Sequence, residues 1–210
     1  MPVSKDRLFS PRFFLMCGFS FTVFLSAFLL FPTAPFHIRD LGGTTFAAGL
    51  FLACLTYASA CSAPLTGAIA DRVGLRRTLL TSSLAITVFS VAYTLVADYR
   101  LLLVLAVLHG LFWSGLLTGS GAYMSSMLPV SRRAEGISYW GLSSVLATAI
   151  APTLGFWIYH QGWVPLCACA AALNLAMAGI ASRSIAASSS RSLILRPFAI
   201  PSYCFPVSPP

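Results

Sequence analysis

The chain has 210 residues, of which 58% are apolar and 9% are charged, and its mean hydropathy is +0.85. Because soluble domains carry roughly 25% charged residues, this composition excludes a soluble globular domain. It also excludes a disordered chain and a disulfide-rich module. With ~20 apolar residues per membrane crossing plus a short loop, the length fits about six or seven helical spans.

Apolar runs, bounded by charged or turn residues, predict six membrane-spanning helices. We place them at residues 13–36, 45–70, 78–97, 101–128, 137–159 and 163–181. The short connections make successive helices antiparallel. The first span is too long for a cleaved signal peptide, so we expect it to be retained. The predicted fold class is an all-α membrane protein with six transmembrane helices.

Basic residues lie almost entirely on one side of these spans. Of the thirteen Lys and Arg residues, eleven lie on that side, and Arg39 and Arg100 lie on the opposite side. The positive-inside rule therefore predicts that both termini are cytoplasmic. Residues 1–12 are then a cytoplasmic N-terminus, 13–181 the membrane domain and 182–210 a Ser- and Pro-rich cytoplasmic tail. Since the positive charge orients the chain in the bilayer, we expect no nucleic-acid partner.

An internal repeat relates the two halves of the membrane domain. The segment A-P-L-T-G at 63–67 matches A-P-T-L-G at 151–155, an offset of 88 residues that also relates the starts of spans one and four. Three spans per unit, at about 13–97 and 101–181, give the second unit an inverted topology, as in many secondary transporters. Small residues and prolines in the repeated segments allow close helix packing and bends: Pro64, Ala151, Pro152 and Gly155.

The loop after the second span reads G-A-I-A-D-R-V-G-L-R-R over residues 67–77. It resembles the G-x-x-x-D-R-x-G-R-R loop of the major facilitator superfamily, with Leu75 displacing the basic pair by one position. The matching residues are Gly67, Asp71, Arg72, Gly74, Arg76 and Arg77. The loop after the fourth span, with Arg132, Arg133 and Glu135, also resembles that family's loop. The resemblance covers about residues 13–182, the family's amino-terminal half.

This resemblance implies a secondary active transporter that moves a small solute by alternating access, in a plasma membrane such as the bacterial inner membrane. It implies that the loop at 67–77 is a cytoplasmic latch holding one conformation of the cycle. The alternative is a solvated basic turn that only sets topology. Pro152 and Gly155 match the end of a G-P-x-x-G stretch found in the family's exporters, which favours efflux, although ordinary packing also explains them.

By the same resemblance, spans one and four line the substrate cavity. His109 is the titratable group well inside a span, and Trp113 shares its helix face at i+4. An ionisable group within a membrane is a candidate functional residue, although an interior hydrogen bond also explains a neutral His. Tyr123 and Asn174 are further cavity candidates, whereas Phe24 and Phe28 of span one are expected to pack.

Two other classes of protein compete with a transporter. A six-span membrane enzyme is disfavoured, since no nucleophile motif is present and span six holds no His. Neither clustered metal ligands nor cofactor motifs are present, so we expect no catalytic residues, metal or cofactor. The family's working unit has two six-span halves, so we also expect either a truncated chain, inactive alone, or a half-size subunit that pairs with a second half or a second copy.

Overall fold

A computed structural model describes the backbone of residues 8–192 and the side chains of residues 8–182. The helices are α1 (Pro11–Leu30), α2 (Ala34–Asp40), α3 (Thr45–Val73), α4 (Leu75–Leu95), α5 (Tyr99–Met127), α6 (Arg133–Tyr159) and α7 (Trp163–Ser192), with a 3₁₀ turn at Val130–Arg132. Within this part of the chain, six spans are long and apolar enough to cross a membrane. The predicted all-α class and the six predicted spans are confirmed.

The first span is bent, in contrast to the unbroken helix predicted over 13–36. It consists of α1 and α2, separated by a turn at Phe31–Thr33. Pro32 has no backbone N–H to donate, so the helical hydrogen bonding is interrupted there. The Thr33 hydroxyl donates to the carbonyl oxygens of Leu29 and Leu30, at 2.9 and 3.0 Å, and so satisfies the end of α1.

The last helix, α7, continues to Ser192, whereas the tail was predicted from residue 182. The rest of that predicted tail, 193–210, lies outside the described residues, as do residues 1–7 of the predicted cytoplasmic N-terminus.

The packing of the helices has the symmetry of the predicted repeat. Helix α1 packs against α6 and α7, α5 packs against α3 and α4, and α4 packs against α7. Exchanging α1 with α5, α3 with α6 and α4 with α7 interconverts the contacts of α1 with those of α5 and leaves the α4–α7 pair unchanged. The arrangement is therefore that of two inverted three-helix units, with α1 and α5 in equivalent central positions.

Glycines allow the two equivalent pairs of helices to approach through their backbones. A Cβ atom on Gly155 of α6 would lie 2.6 Å from the carbonyl oxygen of Leu29 on α1. A Cβ on Gly110 of α5 would lie 2.3 Å from the carbonyl oxygen of Leu55 on α3. Gly67 is less tightly packed, because a Cβ there would meet Thr118 at 3.8 Å. Close approach at small residues is the usual means of helix association in lipid.

Both prolines of the repeated segment are accommodated without a break in the helix. Helix α3 continues through Pro64 and α6 through Pro152. Ala151 beside Pro152 is fully buried, while Pro64 is exposed. Of the six spans, those containing α6 and α3 have the smallest buried shares, 17% and 28%. These two helices therefore present broad apolar faces outside the bundle.

Alanine substitution tests the backbone contacts. We expect Gly110→Ala and Gly155→Ala each to lower the free energy of unfolding by about 1–3 kcal/mol, because the added methyl group overlaps a neighbouring backbone. Gly141→Ala in α6 is the control, since its Cβ would meet nothing within 4 Å, and a helical Gly-to-Ala change stabilises by roughly 0.5–1 kcal/mol. Thermal unfolding in detergent, followed by circular dichroism, measures all three. Equal losses at Gly141 and Gly155 would contradict this packing.

Candidate functional site: a basic loop and an aromatic cavity

The basic loop, residues 67–77, reverses the chain between α3 and α4 within one residue. Gly74 has φ +98°, a conformation that side-chain-bearing residues rarely adopt. Its N–H donates to the carbonyl oxygen of Ala70 at 2.9 Å, and its own carbonyl accepts from the N–H of Thr78 at 3.1 Å. Helix α4 therefore begins at Leu75, three residues before the predicted start, and the basic pair lies in its first turn.

Arg76 attaches the basic loop to α5. Its Nη2 donates a long hydrogen bond of 3.4 Å to the hydroxyl of Tyr123, and its guanidinium carbon lies 5.4 Å from the centre of the Tyr123 ring. Both groups line a pocket of about 500 Å³ at this end of the bundle, together with Arg77 and Ser126. Tyr123, predicted as a cavity residue, thus lies against the basic loop.

Asp71, Arg72 and Arg77 are exposed. Among the residues with described side chains, Asp71 has no ion-pair partner within 4 Å. From the sequence, Asp71 could pair with any of three neighbouring arginines, at positions 72, 76 and 77. In the structure, Arg76 donates a hydrogen bond to Tyr123 instead. The carboxylate of Asp71 is therefore accessible from outside this bundle.

The second basic loop contains a two-point ion pair. Arg132 donates through Nε and Nη2 to the two carboxylate oxygens of Glu135, at 2.8 and 2.7 Å. Glu135 lies in the first turn of α6, where a negative charge is favourable. Both side chains are exposed, so water and salt screen the pair and it adds little to stability. Arg133 beside it is also exposed.

His109 is buried between α4 and α5 in an aromatic environment. Its Nδ1 lies 3.2 Å from the hydroxyl oxygen of Tyr93, and its ring stacks on Phe89 with 5.9 Å between the ring centres. Its Nε2 is buried and has no hydrogen-bond partner among the described residues. The structure brings His109 and Trp113 together as their spacing predicts, with 6.5 Å between ring centres.

Trp113 forms part of an aromatic row that joins α1 to α5. Its ring contacts Phe24 and Phe31 edge-to-face, at 6.0 and 5.7 Å between centres. Trp113 and Phe31 line a cavity of about 350 Å³ between α3 and α5. Its other lining residues are uncharged and mostly small or hydroxyl-bearing: Leu55, Thr56, Ser59, Ala60, Ala63, Ser114, Leu117 and Thr118.

Asn174 lies in a different place, inside a buried polar network. Its Oδ1 accepts from the hydroxyl of Ser26 at 2.7 Å, and its Nδ2 donates to the hydroxyl oxygen of Ser90 at 2.9 Å. These bonds join α7 to α1 and α4. Of the four predicted cavity residues, the structure therefore brings together His109 and Trp113, while Asn174 links three helices and Tyr123 supports the basic loop.

Comparison with known proteins gives the family. The profile of the Major Facilitator Superfamily matches residues 16–196 of the chain. The chain belongs to the Major Facilitator Superfamily. It is therefore a multi-pass integral membrane protein, and the six-span bundle described above is the part that carries the match.

Several curated members of the superfamily are similar to this chain. The fatty acid resistance protein FarB of Neisseria gonorrhoeae is 26% identical over 133 residues, covering 62% of this chain and 26% of that protein. The multidrug export protein EmrB of Escherichia coli K12 is 30% identical over 110 residues, covering 51% and 22%. A raffinose permease of Escherichia coli is 28% identical over 175 residues, covering 71% and 40%. The aligned region is thus less than half of each relative.

Trp113 and His109 contact residues of this superfamily member that the sequence did not single out. Of these, Phe31 lines the cavity, whereas Phe89, Tyr93 and His109 itself do not. Phe31 and Phe89 contact Trp113 and His109, respectively, and Tyr93 bonds to His109. Phe24, Phe28 and Phe31 recur at helical spacing along the first span, which is the signal that identifies the row. Phe24 and Phe28 were expected only to pack, and their packing partners prove to be Trp113 and Phe31.

Proposed function

We propose that this chain is a six-span transport half, which moves a small apolar or aromatic solute across a membrane by alternating access. The observation that carries the proposal is the cavity between α3 and α5. Two aromatic rings line it, no charged side chain does, and its volume of about 350 Å³ is that of a small-molecule site. An uncharged aromatic wall favours stacking and apolar contact over recognition of an ion or a sugar.

Export is the direction that the comparisons favour. Two of the relatives are named for multidrug export and for fatty acid resistance, whereas one is named a raffinose permease. A cavity without charged groups suits the first two kinds of solute better than a polyhydroxylated sugar. Pro152 and Gly155 of α6, which match the pattern of the family's exporters, support the same direction.

The basic loop serves this cycle as a conformational latch. The contact between Arg76 and Tyr123 holds the loop against α5. Because α5 also carries Trp113, this helix connects the loop to the cavity. The exposed carboxylate of Asp71 is available to a hydrogen-bond donor on a facing helix in one state of the cycle. The distribution of basic residues favours a cytoplasmic position for this loop and for both termini, in a membrane such as the bacterial inner membrane.

A second six-helix body completes the transporter. The broad apolar faces of α3 and α6 lie on equivalent helices of the two repeats, and alternating access needs a body against which this one can rock. That body is either a second half or a second copy of this chain. Asp71 and Gly67, both on α3, then lie at its edge. A chain that lacks such a partner is the inactive alternative.

Substitution of Trp113 tests the proposed cavity. We expect Trp113→Ala to raise the half-saturating concentration for export of Nile red, a neutral aromatic dye, by about three- to tenfold, since an aromatic contact contributes about 0.5–1.5 kcal/mol. Leu95→Ala is the control, because that side chain is 80% exposed at the end of α4, away from the cavity and from the outer faces of α3 and α6. Export is measured as dye loss from energised cells without other efflux pumps, with the chain expressed alone and as a tandem dimer. Equal effects of the two substitutions would contradict the cavity's role.

The latch is tested at its carboxylate. We expect Asp71→Asn to lower the transport rate about fivefold or more, because coupling between conformational states is typically worth 1–3 kcal/mol. Membrane insertion should stay normal by quantitative immunoblotting. Asp98→Asn, the same change at the opposite end of the bundle, should leave the rate unaltered, since asparagine also caps helix α5. Normal transport by Asp71→Asn would mean that the loop only sets topology.

A further inference from the structure

A groove on the outer surface of the bundle is distinct from the aromatic cavity. It lies between α3 and α4, with α5 as its floor, and has a volume of about 250 Å³. On α3 it is lined by Leu65, Ile69 and Val73, which are 63%, 44% and 46% exposed. The groove shares no lining residue with the aromatic cavity, and the two lie on different sides of α5, so the groove opens away from that cavity.

Four of the five hydroxyl-bearing residues that line the groove have that hydroxyl engaged within the protein. The hydroxyls of Ser62, Thr66, Thr78 and Thr81 each donate to a main-chain carbonyl oxygen of their own helix, at 2.9–3.2 Å. A polar ligand would therefore find few unused donors there. A hydrocarbon chain, which needs none, suits such a surface.

The groove has the length of one membrane leaflet. Along α3 its lining extends from Val73, which belongs to the basic loop, to Ser62, a distance of eleven residues or about 16 Å at 1.5 Å per residue. The hydrocarbon core of a bilayer is ~30 Å thick, so half of it is about 15 Å. The length of the groove thus matches one leaflet, and with the basic pair at the headgroups it would end near the midplane, which is the depth of one acyl chain.

A cationic pocket continues the groove at the membrane edge. Val73 lines both the groove and the pocket that contains Arg76 and Arg77. Thr81, in the groove, is one helical turn from Arg77 on the same face of α4. The contact with Tyr123 orients the Arg76 guanidinium while engaging one of its nitrogens, so its other donors can meet an anion.

We propose that this groove and pocket bind an anionic phospholipid, with one acyl chain between α3 and α4 and the headgroup phosphate at Arg76 and Arg77. Charge complementarity selects an anionic headgroup, because basic pockets between membrane helices are sites for such lipids. The leaflet-deep, outward-facing groove selects a lipid over a transported solute. The bound lipid covers the basic loop at its α4 side and is thereby placed to stabilise one conformation of it.

Lipid retention tests the proposal without any transport measurement. The full chain is incorporated into nanodiscs of dioleoyl phosphatidylglycerol mixed equally with dioleoyl phosphatidylcholine, and the lipids that remain bound are counted by native mass spectrometry. At about 1 kcal/mol per basic contact, two arginines predict about a thirtyfold preference for phosphatidylglycerol. The double variant Arg76→Gln, Arg77→Gln should lose this preference, and Ile69→Trp, which fills the groove, should reduce retention of both lipids.

Matched controls distinguish lipid binding at this site from lipid binding elsewhere on the protein surface. Arg133→Gln removes a charge from the other basic loop, and Leu95→Trp adds a ring to an 80% exposed position at the far end of α4. Both should retain phosphatidylglycerol as the unsubstituted chain does. Circular dichroism and gel filtration establish that each variant is folded, and the conservative pair Arg76→Lys, Arg77→Lys, which keeps the charge, should retain most of the preference.

Several results would overturn the proposal. Equal retention of the two lipids would do so, as would an equal loss of preference in Arg133→Gln. Displacement of phosphatidylglycerol by equimolar oleate would assign the groove to a single-chain solute instead. A dimer that Ile69→Trp dissociates would assign it to a second copy of the chain. Because no substrate is present, each result is independent of whether the chain transports a solute.

Discussion

Contact between helix backbones is the constraint on which the rest of this structure depends. Lipid is as apolar as the side chains of the spans, so helices in a membrane associate through close packing at small residues rather than through the hydrophobic effect. Gly155 brings α6 onto the backbone of α1, and Gly110 brings α5 onto the backbone of α3. These two crossings are equivalent under exchange of the repeats, and they set α1 and α5 at the centre of the bundle.

The aromatic cavity and the apolar groove lie on the two sides of one such contact. On one side of the α3–α5 pair is the cavity with Trp113, and on the other is the groove that leads to the basic loop. A hydrogen bond of 2.9 Å between the hydroxyls of Thr66 and Ser114 lies across the contact and separates them. A solute in the cavity and a lipid in the groove would therefore contact the same pair of helices without sharing a lining residue.

Much of the architecture follows from the sequence, because hydropathy and charge act locally. Six apolar runs gave six spans, and the A-P-x-x-G repeat gave the inverted symmetry seen in the packing. The bend in the first span was missed, since proline in a membrane helix has no single outcome: Pro64 and Pro152 lie inside continuous helices, while Pro32 ends α1. The burial and the orientation of polar side chains within the spans also could not be predicted from the sequence. Tyr123 and Asn174 looked alike as polar groups in spans, yet partners 47 residues before Tyr123 and 148 before Asn174 determine their surroundings.

The arrangement of the six spans across the membrane is the central claim, and single-cysteine labelling tests it most directly. In a chain with its six native cysteines replaced, new cysteines at Arg77 and Ser131 report the two basic loops, and those at Ala97 and Gln161 report the opposite connections. We expect an impermeant maleimide to label Ala97→Cys and Gln161→Cys in intact cells, and to label Arg77→Cys and Ser131→Cys only after permeabilisation. Labelling of Arg77→Cys and Ser131→Cys from opposite sides would contradict the inverted six-span fold, and a uniform reversal would contradict its orientation.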